Sequence, residues 1–279
     1  MKIKNILKTI NDKLNSYIYK KKQEYKKRKE EKERIKQERI KFEEEERKRE
    51  EEIFRKRIEL EFLRRTDPGA FGEYLIYEEL NSGYLNGYGK ILQNIYIPYN
   101  GRTSEIDVLL IHEKGIFVFE SKNYSGWIFG SANQINWTQS LNRQTKTKFY
   151  NPIKQNATHI KAISKYLGIN EKIMKSIIVF SNQCELKKVP SNTEYYTITR
   201  LYNLIDIMIK ELDSRENILS MQDIDSIETK LEPLTNVSEE KKIKHIQDVQ
   251  YYQNNNQPNN KKYSNDEIIM GMLNNMRTK

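Results

Sequence analysis

The sequence contains few of the residues that cross-link or bend a chain. Its 279 residues include one cysteine, Cys184, six prolines and eleven glycines. A single cysteine excludes an intramolecular disulfide and a cysteine-based zinc cluster, and it is compatible with a reducing compartment. No run approaches the roughly 18 apolar residues of a membrane span, and lysine and asparagine interrupt the N-terminus too often for a secretory leader. These absences predict a cytoplasmic protein, or one peripheral to a membrane.

Charged residues make up a large part of the sequence. Hydrophobic residues make up 37% of the chain and charged residues 32%, so the apolar side chains must be concentrated in one part of it to form a core. Lysine and arginine number 49 against 39 aspartates and glutamates, a formal charge of +10. This balance favours a polyanionic partner, either nucleic acid or an anionic membrane surface.

The first 18 residues have the pattern of an amphipathic helix. Ile3, Leu7, Ile10, Leu14 and Tyr17 recur at alternating steps of four and three residues, which places them on one helical face. Most of the lysines in this segment lie elsewhere on the helix. Three occupants of the apolar face are possible: a membrane surface, a partner helix, or the body of the protein itself.

Residues 19–65 read as a charged helical stalk. Between Lys20 and Glu59, 31 of 40 residues are charged, and there is no glycine or proline. Acidic and basic blocks alternate, which favours a helix supported by ion pairs between residues three and four apart. The apolar positions are too sparse and irregular for a stable coiled coil, so a solvated helix is the favoured interpretation.

Residues 66–212 have the pattern of an α/β domain. Thr66 or Asp67 caps a helix with Pro68 in its first turn. The apolar runs 104–111 and 116–122, joined by four residues, predict a β-hairpin. The remaining predicted elements are a strand at 90–98, a helix from Pro152 to Leu167, strands at 176–181 and 195–199, and a helix at 201–212. This order predicts a mixed central sheet flanked by helices.

The C-terminal part is predicted in three pieces. Residues 213–235 contain one amphipathic accessory helix, expected on the rim of the domain. Residues 236–262 are polar and rich in asparagine and glutamine, a composition that predicts a disordered linker. Ser264 and Glu267 form a capping box for a short amphipathic helix within 263–279, whose methionine-rich face suits a protein partner or a return to the protein's own body.

Acidic and basic side chains end the two strands of the hairpin. Glu120 and Lys122 are two residues apart and therefore project from one face, with Ser121 on the other. Pairing across the hairpin can bring Asp107 beside Glu120. Two adjacent carboxylates favour a hard divalent cation such as Mg²⁺, and Lys122 would lie where charge develops on a phosphate. The spacing alone is weakly specific, because such residues are common at strand ends.

A longer set of motifs in fixed order carries a family resemblance. The segments are Gly69-Ala70-Phe71-Gly72-Glu73, Glu105 to Leu110, Gly115 to Gly126, Trp137-Thr138-Gln139, and Asn151 to Asn156 followed by His159. Together they resemble the nuclease-related domain (NERD) family, which is related to the restriction-endonuclease-like PD-(D/E)xK nucleases. The resemblance covers roughly residues 66–180 and implies a restriction-endonuclease-like fold.

The resemblance also implies roles for individual residues. Glu73 would be an acid carried on a helix, Asp107 and Glu120 the metal carboxylates, Lys122 the catalytic lysine and Gln155 a site residue on a second helix. Glu73 is a further candidate metal ligand, and Mg²⁺ or Mn²⁺ the expected metal. The chain departs from the superfamily pattern in having Ile106 where the proline of the PD motif stands, and Glu105 could replace or crowd Asp107.

The sequence gives weaker support for placing His159 and Trp137 in the site. His159 lies one helical turn after Gln155 and could contact a phosphate or a metal, although a packed, hydrogen-bonded histidine is the commoner case. Trp137 is interpreted as a core residue rather than part of a cleft.

Two functions of different classes fit the sequence. The first is metal-dependent hydrolysis of DNA phosphodiester bonds, as by a Mg²⁺-dependent endodeoxyribonuclease, with the DNA backbone met by basic residues that include Lys146, Lys148, Lys154 and Lys161. The second is a non-catalytic nucleic-acid-binding or scaffold protein, whose helices recruit partners or a membrane.

Overall fold

A computed structural model describes residues 2–255 of the chain, which divides into two compact units at Thr66. The helices are α1 (Lys2–Thr66), α2 (Pro68–Leu80), α3 (Pro152–Leu167), α4 (Leu204–Asp213), α5 (Met221–Leu231) and α6 (Glu239–Asn255). The strands are β1 (Gly89–Tyr99), β2 (Arg102–His112), β3 (Gly115–Lys122), β4 (Gly126–Phe129), β5 (Asn136–Ser140), β6 (Lys146–Tyr150), β7 (Met174–Phe180), β8 (Cys184–Lys188) and β9 (Tyr196–Arg200). The predicted α/β class, with a long N-terminal helix, is confirmed.

Helix α1 is one continuous element across both predicted segments, 1–18 and 19–65. Ion pairs three or four residues apart run along it, among them Arg39–Glu43 at 2.8 Å and Arg65–Glu61 at 2.8 Å. Each such pair on an exposed helix contributes only about 0.2–0.5 kcal/mol, so the helix depends on many of them and on good helix formers. Leu7, Ile10 and Leu14 of the predicted apolar face are exposed. The occupant of that face, whether a membrane surface, a partner helix or the protein's own body, stays a prediction.

Within residues 2–255, no helix combines the length and the apolar composition of a bilayer span.

A five-stranded sheet in the order β1-β2-β3-β7-β9 forms the centre of the second unit. Strands β1, β2 and β3 pair antiparallel, as the hairpin signal predicts, while β3, β7 and β9 run parallel. All seven residues of β7 are buried, which is the pattern of a parallel strand covered on both faces. The sheet is therefore mixed, as predicted.

Helices cover both faces of this sheet. Helices α3 and α5 bury Ile160, Ile163 and Ile224 against one face, and α2 and α4 bury Ile76 and Met208 against the other. Helix α5 was expected on the rim, but Ile224 and Leu231 are fully buried in the main core. Its amphipathic face covers β1 and β2, which α3 alone leaves partly uncovered.

A second, four-stranded sheet in the order β6-β5-β4-β8 was not predicted. Its inner side packs on β7 and β9 through a separate cluster in which Trp137 stacks on Phe180, with ring centroids 6.2 Å apart. Trp137 is fully buried, as predicted, and Gly130 lies directly beneath its ring. The strands are four or five residues long and mostly polar, so their periodicity is too short to be recognised from sequence.

Helix α6 contradicts part of the predicted linker at 236–262. It spans Glu239–Asn255, and its first turn includes two acidic residues that favour the positive end of the helix. The segment was misread because it buries little apolar surface of its own. It contacts strand β2 through His245 instead. The helix predicted within 263–279 lies outside the described residues.

A buried ion pair beneath α4 provides a test of the packing. Lys175 Nζ of β7 lies 2.6 Å from Glu211 Oε2, and the two side chains are only 8% and 15% exposed. Arg215 also reaches Glu211, at 2.7 Å. Removing the carboxylate leaves a buried ammonium without compensation, so Glu211→Gln should lower the free energy of unfolding by about 3 kcal/mol in urea denaturation.

The matched control for this substitution is Glu185→Gln. Glu185 also pairs with a lysine, Lys187, but the two side chains are 56% and 40% exposed. Because exposed pairs contribute little, we expect a loss under about 1 kcal/mol. Equal losses in the two variants would contradict the importance of burial at Glu211.

Candidate active site

Three of the five predicted site residues are joined directly by hydrogen bonds. Lys122 Nζ donates to Glu120 Oε1 and, at 3.2 Å, to Gln155 Oε1. Glu120 and Lys122 are two residues apart at the end of β3, so both point toward α3, which carries Gln155. The lysine is thus held between a carboxylate of the sheet and an amide of the helix.

The start of α3 is fixed by Asn151, and this fixes Gln155 one turn later. Asn151 Oδ1 accepts the backbone N–H of Ile153 at 2.9 Å, which caps the helix, and Pro152 occupies the first helical position. The Asn151 amide nitrogen is shared among three carbonyls of the loop before β5, the nearest being Gln134 O at 2.7 Å. Asn151 and Pro152 thus build the helix start.

Asp107 lies at a local irregularity of strand β2. Ile106 and Leu109 pack on the side of α3, whereas Val108 and Leu110 pack on the side of α2, so the alternation of faces breaks at Asp107. The residue at the corresponding point of β1 is Asn94, which has a positive φ of 52°. The Asp107 carboxylate accepts the backbone N–H of Ser121 at 2.7 Å, which holds it beside the end of β3.

Glu73 approaches the same region from helix α2. The neighbouring Gly72 permits this approach, because a Cβ at that position would lie 2.7 Å from Ser121 Oγ and 3.0 Å from Asn123 Cβ. A side chain at residue 72 would therefore push α2 away from the strand end that carries Lys122.

The electrostatics show how crowded with negative charge the site is. Burial, together with repulsion from Glu105, Asp67 and Glu120, raises the pKa of Glu73 to about 7. Burial and the charges of Glu120 and Glu73 raise the pKa of Asp107 well above its usual range. The charges of these carboxylates and of Lys122 thus influence one another, and Gln155 joins the group through its hydrogen bond to Lys122.

Glu120 and Lys122 have the opposite balance. Burial by itself would raise the pKa of Glu120, but attraction to Lys122 and the hydrogen bond from His159 outweigh it and lower the pKa. Burial would lower the pKa of Lys122, yet attraction to Glu120 and Asp107 outweighs it and raises that pKa. The pair is therefore an ionised carboxylate and an ionised ammonium.

His159 belongs to the site through Glu120. Its Nε2 lies 3.2 Å from Glu120 Oε2, and its Nδ1 lies 2.7 Å from Ser104 Oγ. An ionised carboxylate only accepts hydrogen bonds, so Nε2 must carry a proton that it donates to Glu120. His159 is thus a hydrogen-bonded, buried histidine, the commoner of the two cases weighed from sequence. Ser104 was not identified, because no sequence pattern distinguishes a serine that supports a histidine.

A second group of side chains borders the site and was largely missed. Glu105 accepts hydrogen bonds from Tyr96 Oη at 2.5 Å and contacts His245 Nε2 at 3.3 Å. Burial would raise the pKa of Glu105, but the hydrogen bonds from His245 and Tyr96 lower it. Glu105 is therefore held by these two partners, and its negative charge helps to raise the pKa of Glu73. His245 was missed because its segment was read as a linker.

The fit of a metal ion was tested against these contacts. Within residues 2–255, no three His, Cys, Asp or Glu side chains are grouped closely enough to hold a metal ion. Both carboxylate oxygens of Glu120 already have partners, Lys122 and His159. The donor chemistry nevertheless fits a hard cation, because Asp107 and Glu73 are carboxylates whose pKa values are raised by burial and by repulsion from neighbouring carboxylates.

The comparison with protein families bears on this site. Residues 68–181 match the model of the nuclease-related domain. Over this segment the chain is similar to nuclease-related domains. The matched segment runs from α2 through β7, so it includes all five candidate residues, and the recognition made from the ordered motifs is confirmed. The folded core is larger than the matched segment, since β9, α4 and α5 complete it.

Two further comparisons add less. An uncharacterized Bacillus anthracis protein is 41% identical over 123 residues, which cover 43% of this chain and 56% of that protein. This chain therefore spans little more than half of that relative. The structure of Can2 from Sulfobacillus thermosulfidooxidans in complex with cyclic tetra-adenylate aligns with a TM-score of 0.31 and 17% identity, over 52% of this chain and 36% of that chain. That overlap is too weak to inform on the site.

Proposed function

We propose that the nuclease-related domain of this protein hydrolyses phosphodiester bonds of DNA with the help of Mg²⁺ or Mn²⁺. One observation carries the proposal: Lys122 is held between Glu120 and Gln155, while Asp107 and Glu73 present carboxylates with raised pKa values to the same place. Uncompensated carboxylates beside a fixed ammonium suit a reaction that needs both a cation site and a positive group near phosphate.

The carboxylates take the role of cation ligands. Asp107 and Glu120 would hold the metal, with Glu73 as a further ligand or as a partner of a bound water. When bound, a divalent cation polarises the phosphate and lowers the pKa of a coordinated water. Binding at Glu120 requires one of its oxygens to exchange its present partner, so Lys122 or His159 must shift by a small distance. The ionised form of Asp107 is the binding form, which couples metal uptake to release of a proton.

Lys122 and Gln155 would act on the nucleophile and the phosphate. The Lys122 ammonium stabilises negative charge that develops as the water attacks, because it is buried and its charge is little screened. Gln155 has its amide oxygen bound to the ammonium, so it keeps the lysine in one rotamer rather than contacting the reacting atoms. In this arrangement Lys122 is a catalytic residue and Gln155 a positioning residue.

An activity assay on linear, circular and single-stranded DNA tests the proposal. The purified protein should cleave DNA with added Mg²⁺ or Mn²⁺ and should lose the activity in excess chelator. Asp107→Ala should abolish metal-stimulated cleavage, because it removes the carboxylate that β2 presents beside the end of β3. Cleavage that is unchanged in Asp107→Ala, or that needs no metal, would refute the assignment.

A non-catalytic nucleic-acid-binding or scaffold role is the second candidate, and one observation favours it. Both oxygens of Glu120 are engaged by Lys122 and His159, and the described residues contain no ready-made cluster of three metal ligands. Thermal unfolding with Mn²⁺ separates the two functions. A ligand at 100 times its dissociation constant adds about 2.7 kcal/mol, or roughly 5–10 °C for a domain of this size. A shift that disappears in Asp107→Ala supports the enzyme, and DNA binding without any shift supports the scaffold.

A further inference from the structure

The outer face of the second sheet carries exposed aromatic side chains. Trp127 of β4 is 43% exposed, while the next residue, Ile128, is fully buried in the core between the sheets. Because side chains alternate along a strand, Trp127 and Phe129 both lie on the outer face. The pairing places Ser140 opposite Trp127 and Thr138 opposite Phe129. Each aromatic side chain thus has one short polar residue as its cross-strand neighbour on β5.

These residues line an open pocket. Its volume is about 420 Å³, within the range of pockets that hold small ligands. The lining residues are Trp127, Phe129, Thr138, Ser140, Arg143 and Lys146. An aromatic surface with hydroxyl groups fits a ligand with a planar, uncharged ring. The two cations at its border, Arg143 and Lys146, fit a phosphate attached to that ring.

The charge around the pocket is strongly positive. Lys146 pairs with Ser140 and Lys148 with Thr138 across β5 and β6, so both lysines extend from the outer face. On the other side, Lys188 is the partner of Phe129, and Lys187 Nζ lies 5.5 Å from the centre of the Trp127 ring. Together with Arg143, these four lysines make five cations at the border of this face. Strand β8 also carries a carboxylate there, Glu185, which is paired with Lys187.

We propose that this face, here called the Trp127 platform and defined by the pocket residues with Lys148, Lys187 and Lys188, binds single-stranded nucleic acid. An unpaired base would stack on Trp127 in place of the Lys187 ammonium, which lies over that ring, and the adjacent phosphates would contact the lysines and Arg143. In a duplex the bases are already stacked on both faces, so an aromatic platform favours unpaired nucleotides. Every base has a π-face, and the platform would therefore accept many sequences.

The position of the platform links it to the candidate active site. Trp127 follows Lys122 by five residues, so their Cα atoms can be at most about 18 Å apart. Gln139 Nε2 donates to Ser125 O at 2.9 Å, which fixes the intervening segment to β5. The platform and Lys122 are thus joined by a short segment that is fixed to the second sheet. The inference rests on the proposed function, because it names the form of nucleic acid, single-stranded, that the domain would bind.

Binding of a fluorescein-labelled oligothymidylate of about 12 nucleotides tests the platform. The full chain is titrated in excess chelator, so that cleavage is not needed for a signal. We expect the single strand to bind more tightly than a duplex of the same length, and Trp127→Ala to weaken single-strand binding by about 5- to 150-fold. Trp127→Phe should retain most of the affinity, because it keeps an aromatic face.

Two controls make the result specific. Tyr166→Ala removes another aromatic residue with the same exposed fraction, 43%, from α3, and it should leave the affinity unchanged. The chain has two tryptophans and Trp137 is fully buried, so quenching of intrinsic fluorescence by unlabelled oligothymidylate should disappear in Trp127→Phe. An oligouridylate of equal length distinguishes DNA from RNA as the source of the strand.

The outcomes separate this inference from the proposed function. Equal affinity of Trp127→Ala and the unaltered chain for the single strand, or tighter binding of the duplex, overturns the platform even if DNA is cleaved. Single-strand binding that depends on Trp127 supports the platform even if no cleavage is found with any metal.

Discussion

Replacement of Lys122 by methionine is expected to lower the rate of metal-dependent DNA cleavage by about 100- to 1000-fold, the usual effect of removing one group that stabilises transition-state charge. Methionine keeps the length and apolar stem of the side chain but removes the ammonium that contacts Glu120 and Gln155. Single-turnover cleavage of labelled DNA at saturating metal measures the chemical step and separates it from binding.

Controls for Lys122→Met address folding and charge. Lys172→Met removes an exposed lysine outside the site and should leave cleavage unchanged. Gln155→Ala should reduce the rate less than Lys122→Met does, because the amide acts only through the lysine. Lys122→Met also leaves the buried carboxylate of Glu120 without its ammonium, so its thermal unfolding must be measured alongside. A folded Lys122→Met protein that cleaves at the normal rate would remove the lysine from the mechanism.

Glu73→Gln is expected to stabilise the metal-free protein above pH 7. The pKa of Glu73 rises from 4.5 to about 7 on folding, so the folded state binds its proton more tightly than the unfolded state does. The stability that Glu73 contributes is therefore fully present below pH 4.5 and is lost as the pH rises to about 7. Glutamine carries no charge and removes this loss, which gives a gain on the order of 3 kcal/mol above pH 7 and little gain near pH 4.5.

Urea unfolding at several pH values, in chelator, measures this difference. Glu216→Gln, at an exposed carboxylate, is the control and should show no such pH-dependent gain. The same Glu73→Gln substitution should weaken the thermal shift caused by Mn²⁺, because an ionised ligand is lost. We expect Glu73→Gln to be more stable and to bind the metal more weakly. This combination is typical of a site where charged residues are kept for function although they destabilise the fold. If the difference in the free energy of unfolding between Glu73→Gln and the unaltered chain is the same at every pH, burial and repulsion among the carboxylates do not raise the pKa of Glu73.

Local signals predicted most elements of the central unit. Pro68 and Pro152 at helix starts and the hairpin of 104–122 each act through the chemistry of a few neighbouring residues, and each lies where the structure has it. The second sheet and α6 depend on contacts between distant segments. His245 of α6 meets Glu105 across 140 positions of chain, a contact that no local pattern records.

The candidate site shows the same division. The ordered motifs placed Glu73, Asp107, Glu120, Lys122 and Gln155 in one set, and the strand period alone put Glu120 and Lys122 on one face. What the sequence did not contain is the state of each group: that His159 and Ser104 support Glu120, and that Tyr96 and His245 occupy Glu105. Those states follow from burial and from charges brought together across the fold.

The sequence by itself determined helices α1 to α5, the hairpin, the class of the fold and the identity of the acidic and basic residues that meet, because these depend on periodicity, caps and ordered motifs along the chain. Only the tertiary structure decided that the alternation of β2 breaks at Asp107, that Gly72 lets α2 approach Ser121, and that Trp127 faces outward among five cations. The physical reason is that steric approach, desolvation and charge repulsion depend on distances in space, and residues far apart in sequence set those distances only when the chain has folded.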